Sequence, residues 1–179
     1  MGADCGISAV TAREWLSVLE ASYLVMRLPP YHRNFGKRLV KTPKLYFLDV
    51  GLMAWLLGIR NAASIETHAA RGALFETWVV SELVKQRLNA GEPVDLFFWR
   101  DNVGHEVDVV FETPAGLQAV EIKSGSTFAP DWPASVLKWQ RLTEGAASTP
   151  WLVFGGEGDY DRQGCRVLGW QAWVQRPAA

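Results

Sequence analysis

The stretches HEVDVVF (His105 to Phe111) and LQAVEIKSG (Leu117 to Gly125), joined by Glu112-Thr113-Pro114-Ala115-Gly116, decide how this chain is read. Each is short, rich in valine and isoleucine, and bounded by a Pro/Gly turn, which is the pattern of a β-hairpin. The charges are unusual for one. Asp108 lies among Val107, Val109 and Val110, and Glu121 follows Ala119-Val120, where a strand ordinarily carries apolar residues. Alternation sends residues i and i+2 to one face, so Glu121 and Lys123 project together while Ile122 points into the other layer. Two carboxylates and an ammonium can then converge. Burying them is costly unless they are paired or hold a cation, so the hairpin carries a candidate site.

Working outward from the hairpin, Gly72 opens a helix over 73–88 whose apolar residues Leu74, Phe75, Trp78, Val79, Leu83 and Leu88 form a broad stripe suited to packing on a sheet. Glu76 lies near the edge of that stripe. A strand is expected over 94–99, a second amphipathic helix over 132–143, a short buried strand over 151–154, and an edge strand or tail over 166–173. The order of helix, three strands, helix and strand points to an α/β sandwich with a mixed sheet.

The first part of the chain reads differently. Ser8 and Thr11 are both candidate caps for a helix carrying Trp15, Leu16 and Leu19, and strand-like stretches follow at 23–28 and 44–48. A helix followed by such a hairpin suggests a small winged-helix-like segment. Between the strands, Arg33, Lys37, Arg38 and Lys41 accompany Tyr31 and Phe35, with no acidic residue until Asp49. Basic residues interleaved with aromatics suit a phosphate backbone; docking on another domain is the alternative. Asp49 caps a further helix that stops at Gly58. The domain reading is a winged-helix-like segment over 1–60, a polar linker over 61–70 and a main domain over 71–179.

Composition narrows the class. Of 179 residues, 49% are hydrophobic and the net charge is −1, which fits a folded domain and excludes a globally basic nucleic-acid coat. The two cysteines, Cys5 and Cys165, form no zinc-ligand spacing. No apolar run reaches membrane-spanning length and no signal-peptide pattern opens the chain, so a reduced, cytoplasmic setting without membrane partners is expected.

Glu76, Asp108 and the run Glu121-Ile122-Lys123 supply what a metal-dependent phosphodiesterase needs. Hard oxygen ligands hold Mg²⁺ or Mn²⁺, the cation polarises a phosphate, and a lysine orients or activates water. The competing reading makes Asp108, Glu121 and Lys123 solvent-facing residues of an edge hairpin, but apolar neighbours on both strands argue against a wet face. Arg100, after Trp99, is a candidate phosphate clamp at the mouth of the site. His105, beside Asp108, is more simply a surface histidine.

The stretch from Glu76 to Phe154 resembles the PD-(D/E)xK nuclease-like superfamily. More narrowly, TPKLYFLDVGL, GALFETWVVSEL, FFWRDNVGHEVDVVF, AVEIKSG and WLVFGGEG resemble an uncharacterised domain found at the C-terminus of prokaryotic AAA+ type ATPases. The resemblance spans nearly the whole chain. It implies an αβββαβ restriction-endonuclease-like core behind the winged-helix-like segment, with Glu76 as the helix acid, Asp108 and Glu121 as metal ligands, Ile122 lending its backbone carbonyl and Lys123 as the catalytic lysine. Glu76, Asp108 and Glu121 would act with Lys123 in catalysis, with Mg²⁺ or Mn²⁺ as cofactor and nucleic acid, chiefly DNA, as partner. The superfamily also contains binding-only members. An ATPase module is implied elsewhere in such proteins, but Gly36-Lys37 is followed by Arg38 and lacks the upstream glycine of a phosphate-binding loop, so this chain is not expected to hydrolyse ATP.

Overall fold

The computed structural model describes residues 5–31 and 41–176. Helix α1 (Ala9–Ala21) starts at Ser8, whose hydroxyl accepts the Thr11 N–H. Strands β1 (Val25–Leu28) and β2 (Lys44–Phe47) form a two-stranded antiparallel sheet in the register Val25 to Phe47 and Leu28 to Lys44. Helix α2 (Val50–Leu56) is capped by Asp49, which accepts from the N–H groups of Gly51 and Leu52. The stretch read as a linker forms a short helix, α3 (Ala62–Thr67), because Asn61 caps it through the Ser64 N–H.

The main unit opens with α4 (Arg71–Asn89) and continues through β3 (Phe97–Arg100), β4 (Glu106–Thr113), β5 (Gly116–Lys123), α5 (Ala134–Leu142), β6 (Trp151–Phe154), β7 (Asp159–Arg162), β8 (Cys165–Gly169) and α6 (Trp170–Gln175). Its six strands run in the order β3-β4-β5-β6-β8-β7. The β3-β4-β5 part is antiparallel, β5-β6-β8 is parallel, and β7 closes the far edge antiparallel to β8. The sheet is therefore mixed, as expected. Two details differ. The stretch expected as an edge strand or tail at 166–173 is an interior strand followed by a helix, because β7, a polar strand with the sequence DYDR, takes the edge. The central turn is also tighter than five residues: Thr113 pairs with Gly116, leaving Pro114-Ala115 as the loop. The Thr113 hydroxyl accepts the Ala115 N–H and donates to the Gly116 carbonyl. Gly116 is required there, since its φ is +117° and a Cβ would lie 2.5 Å from the Ala146 carbonyl oxygen.

Both faces of the sheet are covered. On one side, Val79, Val80 and Leu83 of α4 meet Val109, Val120 and Ile122. On the other, Val136 and Trp139 of α5 meet Val107, Leu117 and Leu152. Strand β5 is accordingly buried on both faces from Leu117 to Ile122.

The N-terminal elements share the first of these cores. Leu28 and Tyr46 pack with Val79, Leu83 and Phe98, and the chain beyond β1 continues alongside β3. There the Phe98 N–H donates to the Pro29 carbonyl (3.0 Å) and the Tyr31 N–H to the Phe98 carbonyl (2.7 Å). The outer edge of β3 is thus covered by the chain's own N-terminal part. Leu28 is fully buried, so Leu28→Ala is expected to lower stability by about 3 kcal/mol. Denaturant unfolding followed by tryptophan fluorescence should show one shifted cooperative transition. A loss below about 1 kcal/mol would mean that β1 contributes little to the shared core.

Candidate metal centre

The register between β3 and β4 shifts in the middle of the pair. Phe97 faces Val110, but Trp99 faces Val107, so two steps on β3 span three on β4. The extra residue falls at Asp108-Val109. A bulge of this kind re-aims a side chain that regular alternation would send elsewhere. It explains how Val107 joins the α5 core and Val109 the α4 core although two residues apart. Asp108 sits at this break, and its Oδ2 accepts the Ile122 N–H at 2.8 Å.

Around Asp108 gather Glu76 from α4 and Glu106 from the start of β4, each offering an oxygen within 4.8 Å of the others. This triad could hold a metal ion, and its donors are all hard carboxylate oxygens of the kind Mg²⁺ and Mn²⁺ take. Among the described residues it is the one group of three or more acidic, histidine or cysteine side chains with that spacing. At an effective dielectric constant of about 20, two carboxylate charges at such separations repel by about 3 kcal/mol. A cation is needed among them.

Lys44, the first residue of β2, provides one. Its Nζ lies 2.7 Å from Glu76 Oε1, 2.5 Å from Glu106 Oε1 and 3.6 Å from Asp108 Oδ1. Tyr46, two residues along and therefore on the same face, donates its hydroxyl to Glu76 Oε1 at 2.5 Å. Burial alone would depress the Lys44 ammonium, but the charges of Asp108 and Glu76 and the bond to Glu106 outweigh it and hold the group above the ordinary lysine range. Burial and the neighbouring Glu76 charge likewise raise the Tyr46 phenol. Burial, followed by the Glu121 and Glu76 charges, pushes the Asp108 carboxyl up to about 7.

Glu121 and Lys123 form a second group beside the first. Lys123 Nζ lies 2.6 Å from Glu121 Oε1, which confirms that the two residues project together. Alternation places them on the α5 face with Leu117 and Ala119, and Glu121 is not a member of the triad. Its side chain is only 5% exposed. Its Oε2 is buried with no hydrogen-bond partner among the described residues. Burial raises the Glu121 carboxyl, and the Lys123 charge offsets part of that rise. The two groups sense each other, since Glu121 acts on Asp108 and Glu106 acts on Glu121.

The other candidates are dispersed. Ile122, read as lending its carbonyl, contributes its N–H to Asp108 and its side chain to the core. Arg100 is half exposed and reaches Glu106 Oε2 through Nε at 3.4 Å, at the rim of the triad. Lys41 is exposed, and Arg33, Lys37 and Arg38 lie outside the described residues. His105 is not a plain surface residue: its Nδ1 lies 2.9 Å from the buried Asp101 Oδ2 and its Nε2 lies 2.7 Å from Lys138 Nζ, which ties the β3-β4 loop to α5. Sequence reasoning passed over Lys44, Tyr46 and Glu106. The i, i+2 spacings Lys44/Tyr46 and Glu106/Asp108 were the available signals.

The profile of a family described as a domain of unknown function, DUF4143, matches residues 71–173. A second, described as the domain of unknown function DUF8612, matches residues 1–63. Lys44 thus belongs to one matched segment and all three acids to the other. The chain is 35% identical over 121 residues to the uncharacterized protein Rv2008c of Mycobacterium tuberculosis, and equally to the uncharacterized protein Mb2031c of Mycobacterium bovis. The matched part is 68% of this chain but 26% of each relative, so the chain spans about a quarter of the length of the curated relatives it matches. Among the described residues, no helix is long and apolar enough to cross a membrane.

The Asp108 shift carries a pH signature. Its carboxyl is raised from 3.8 to about 7 on folding, so between these values the folded chain holds a proton that the unfolded chain has released. The resulting stabilisation is full below the unfolded value and is lost as pH rises through about 7. Asp108→Asn keeps an acceptor for the Ile122 N–H but carries no charge. Relative to wild type, its melting temperature is expected to rise by several degrees between about pH 4 and about pH 8. An unchanged difference at the two pH values would mean that Asp108 ionises alike in the folded and unfolded chains.

Proposed function

We propose that this chain, which belongs to the family described as the domain of unknown function DUF4143, is a divalent-cation-dependent domain that binds nucleic acid and cleaves its phosphodiester bonds. The observation that supports this most is the convergence of Glu76, Glu106 and Asp108 at the β4 bulge, beside the buried Glu121 and its partly exposed partner Lys123 on the neighbouring strand. The order α4-β3-β4-β5-α5-β6 agrees with the αβββαβ core that the PD-(D/E)xK resemblance implies, and the helix with its two-stranded sheet agrees with a winged-helix-like segment. A bound Mg²⁺ or Mn²⁺ would polarise a phosphate and lower the pKa of an attached water. The chain's own residues do the rest: the carboxylates hold the cation, Lys123 faces the reacting phosphate or water, and Arg100 can fork onto phosphate oxygens at the rim. In a longer protein with an ATPase module, such a domain would act on the nucleic acid that the module engages.

A second reading also has an observation in its favour. Lys44 already supplies a cation to the triad, which suits a non-catalytic module that binds nucleic acid or protein and regulates the ATPase.

Calorimetry with Mn²⁺, paired with plasmid cleavage, separates the two readings. Wild type is expected to give a binding heat that Asp108→Ala abolishes, and metal-dependent cleavage that Lys123→Arg reduces by about 100-fold or more at unchanged melting temperature. Arginine keeps the pair with the buried Glu121 carboxylate but does not give up its proton. Removing the charge altogether would instead leave that carboxylate uncompensated. Wild-type cleavage rates in Lys123→Arg would reduce Lys123 to an ion-pair partner, and a wild-type binding heat that Asp108→Ala leaves unchanged would remove the metal site.

The basic stretch should add affinity without sequence choice. Reversing the charges of Arg33, Lys37, Arg38 and Lys41 is expected to flatten the slope of log affinity against log salt by up to about 3.6 for duplex DNA. An unaltered slope would assign the stretch to docking on another domain.

A further inference from the structure

We propose that Lys44 is a built-in competitor for the divalent cation, so that the N-terminal segment controls whether the acidic site of the following domain can take metal. This rests on the reading that Glu76, Glu106 and Asp108 form a cation site, and it names how that site is held shut.

The argument is geometric. Three carboxylate oxygens surround the Lys44 ammonium, one each from Glu76, Glu106 and Asp108, at 2.7, 2.5 and 3.6 Å. Those are the three residues with oxygens spaced to share a metal ion. An Mg²⁺ bound by them would sit at about 2.0–2.1 Å from each ligand oxygen, in the space that Nζ occupies. The two cations repel and cannot share it.

Lys44 is also well held. Its side chain is 24% exposed, and its ammonium lies 5.8 Å from the centre of the Tyr46 ring and 5.7 Å from that of Phe98. The Tyr46 hydroxyl bonds the same Glu76 oxygen that Lys44 contacts, so β2 engages that carboxylate twice. The competitor and the site come from segments matched by different family profiles, 1–63 and 71–173. β2 lies outside the sheet that carries Glu106 and Asp108, so withdrawing it would free the carboxylates at the cost of the core contacts of Tyr46. Entry of metal requires that the Lys44 ammonium leave the three carboxylates, through withdrawal of β2 or movement of its own side chain.

The test uses Mn²⁺ calorimetry on the whole chain. Lys44→Met keeps an aliphatic stem against Phe98 and removes the charge, and it should bind Mn²⁺ at least about tenfold more tightly than wild type. Lys44→Arg keeps the charge and should bind no better than wild type. Equal affinity in wild type and Lys44→Met overturns the proposal while leaving the metal site standing; absence of binding in both overturns the metal site and this proposal with it. Binding by Lys44→Met alone supports both. A readout on the wild type removes any dependence on how the variants fold: acetylation of Lys44 by acetic anhydride, followed by mass spectrometry, should accelerate when Mn²⁺ is added. Unchanged acetylation in protein that calorimetry shows to be metal-bound would overturn the competition.

Discussion

Three carboxylates drawn together at the edge of a hydrophobic sheet need positive charge, and that need organises much of this structure. Glu76 comes from α4 and Glu106 and Asp108 from β4, while the cation comes from β2, outside the main sheet. The pairing of Lys44 and Tyr46 with Glu76 fixes the small sheet against α4 at the same place where Leu28 and Tyr46 enter the shared core. Electrostatic and apolar contacts thus specify one docking of the N-terminal segment. The apolar contacts supply the larger share of its stability, because bringing charged groups out of water offsets most of what their pairing gains.

The bulge in β4 is the second constraint. A regular strand through HEVDVVF would put Asp108 on the opposite face from Val107 and Val109 together, and one of the two cores would lose a valine. The extra residue at Asp108-Val109 lets Val107 and Val109 serve opposite cores, and it leaves Asp108 at the break, where the Ile122 N–H fixes its carboxylate. The fold can therefore carry an acid mid-strand without opening a gap in either layer.

Much of this was legible in the sequence, and the parts that were not share a cause. The hairpin, the long helix and the buried strand at 151–154 announce themselves by local period, and the Glu121 and Lys123 side chains share a face because strand alternation is local too. Helix caps at Ser8 and Asp49 follow from one residue each. What escaped needed non-local information. Lys44 reads as an ordinary strand residue until Glu76 and Glu106, 32 and 62 positions on, are brought to it. Strand β7, with the sequence DYDR, has no apolar alternation because it is an edge. The bulge leaves no mark in HEVDVVF beyond an acid among valines. The short helix at 62–67 depended on one asparagine cap in an otherwise polar stretch.

The two acid groups also differ in how completely they are satisfied, and the difference bears on what each is built for. The triad is supplied with a lysine, a tyrosine and a backbone N–H, so its geometry is held without any added ion. Glu121 has a lysine on one oxygen only, and the other is buried with no partner among the described residues. A buried carboxylate oxygen left in that state costs stability unless something fills it or the carboxyl takes up a proton. Asp108, raised by Glu121 as well as by Glu76, lies electrostatically between the two groups. A divalent cation entering there would relieve the repulsion on Asp108 and satisfy acids that the protein satisfies only in part. The fold holds these carboxylates in place ahead of any ion, and the folding energy of the two apolar cores carries the cost of keeping them there.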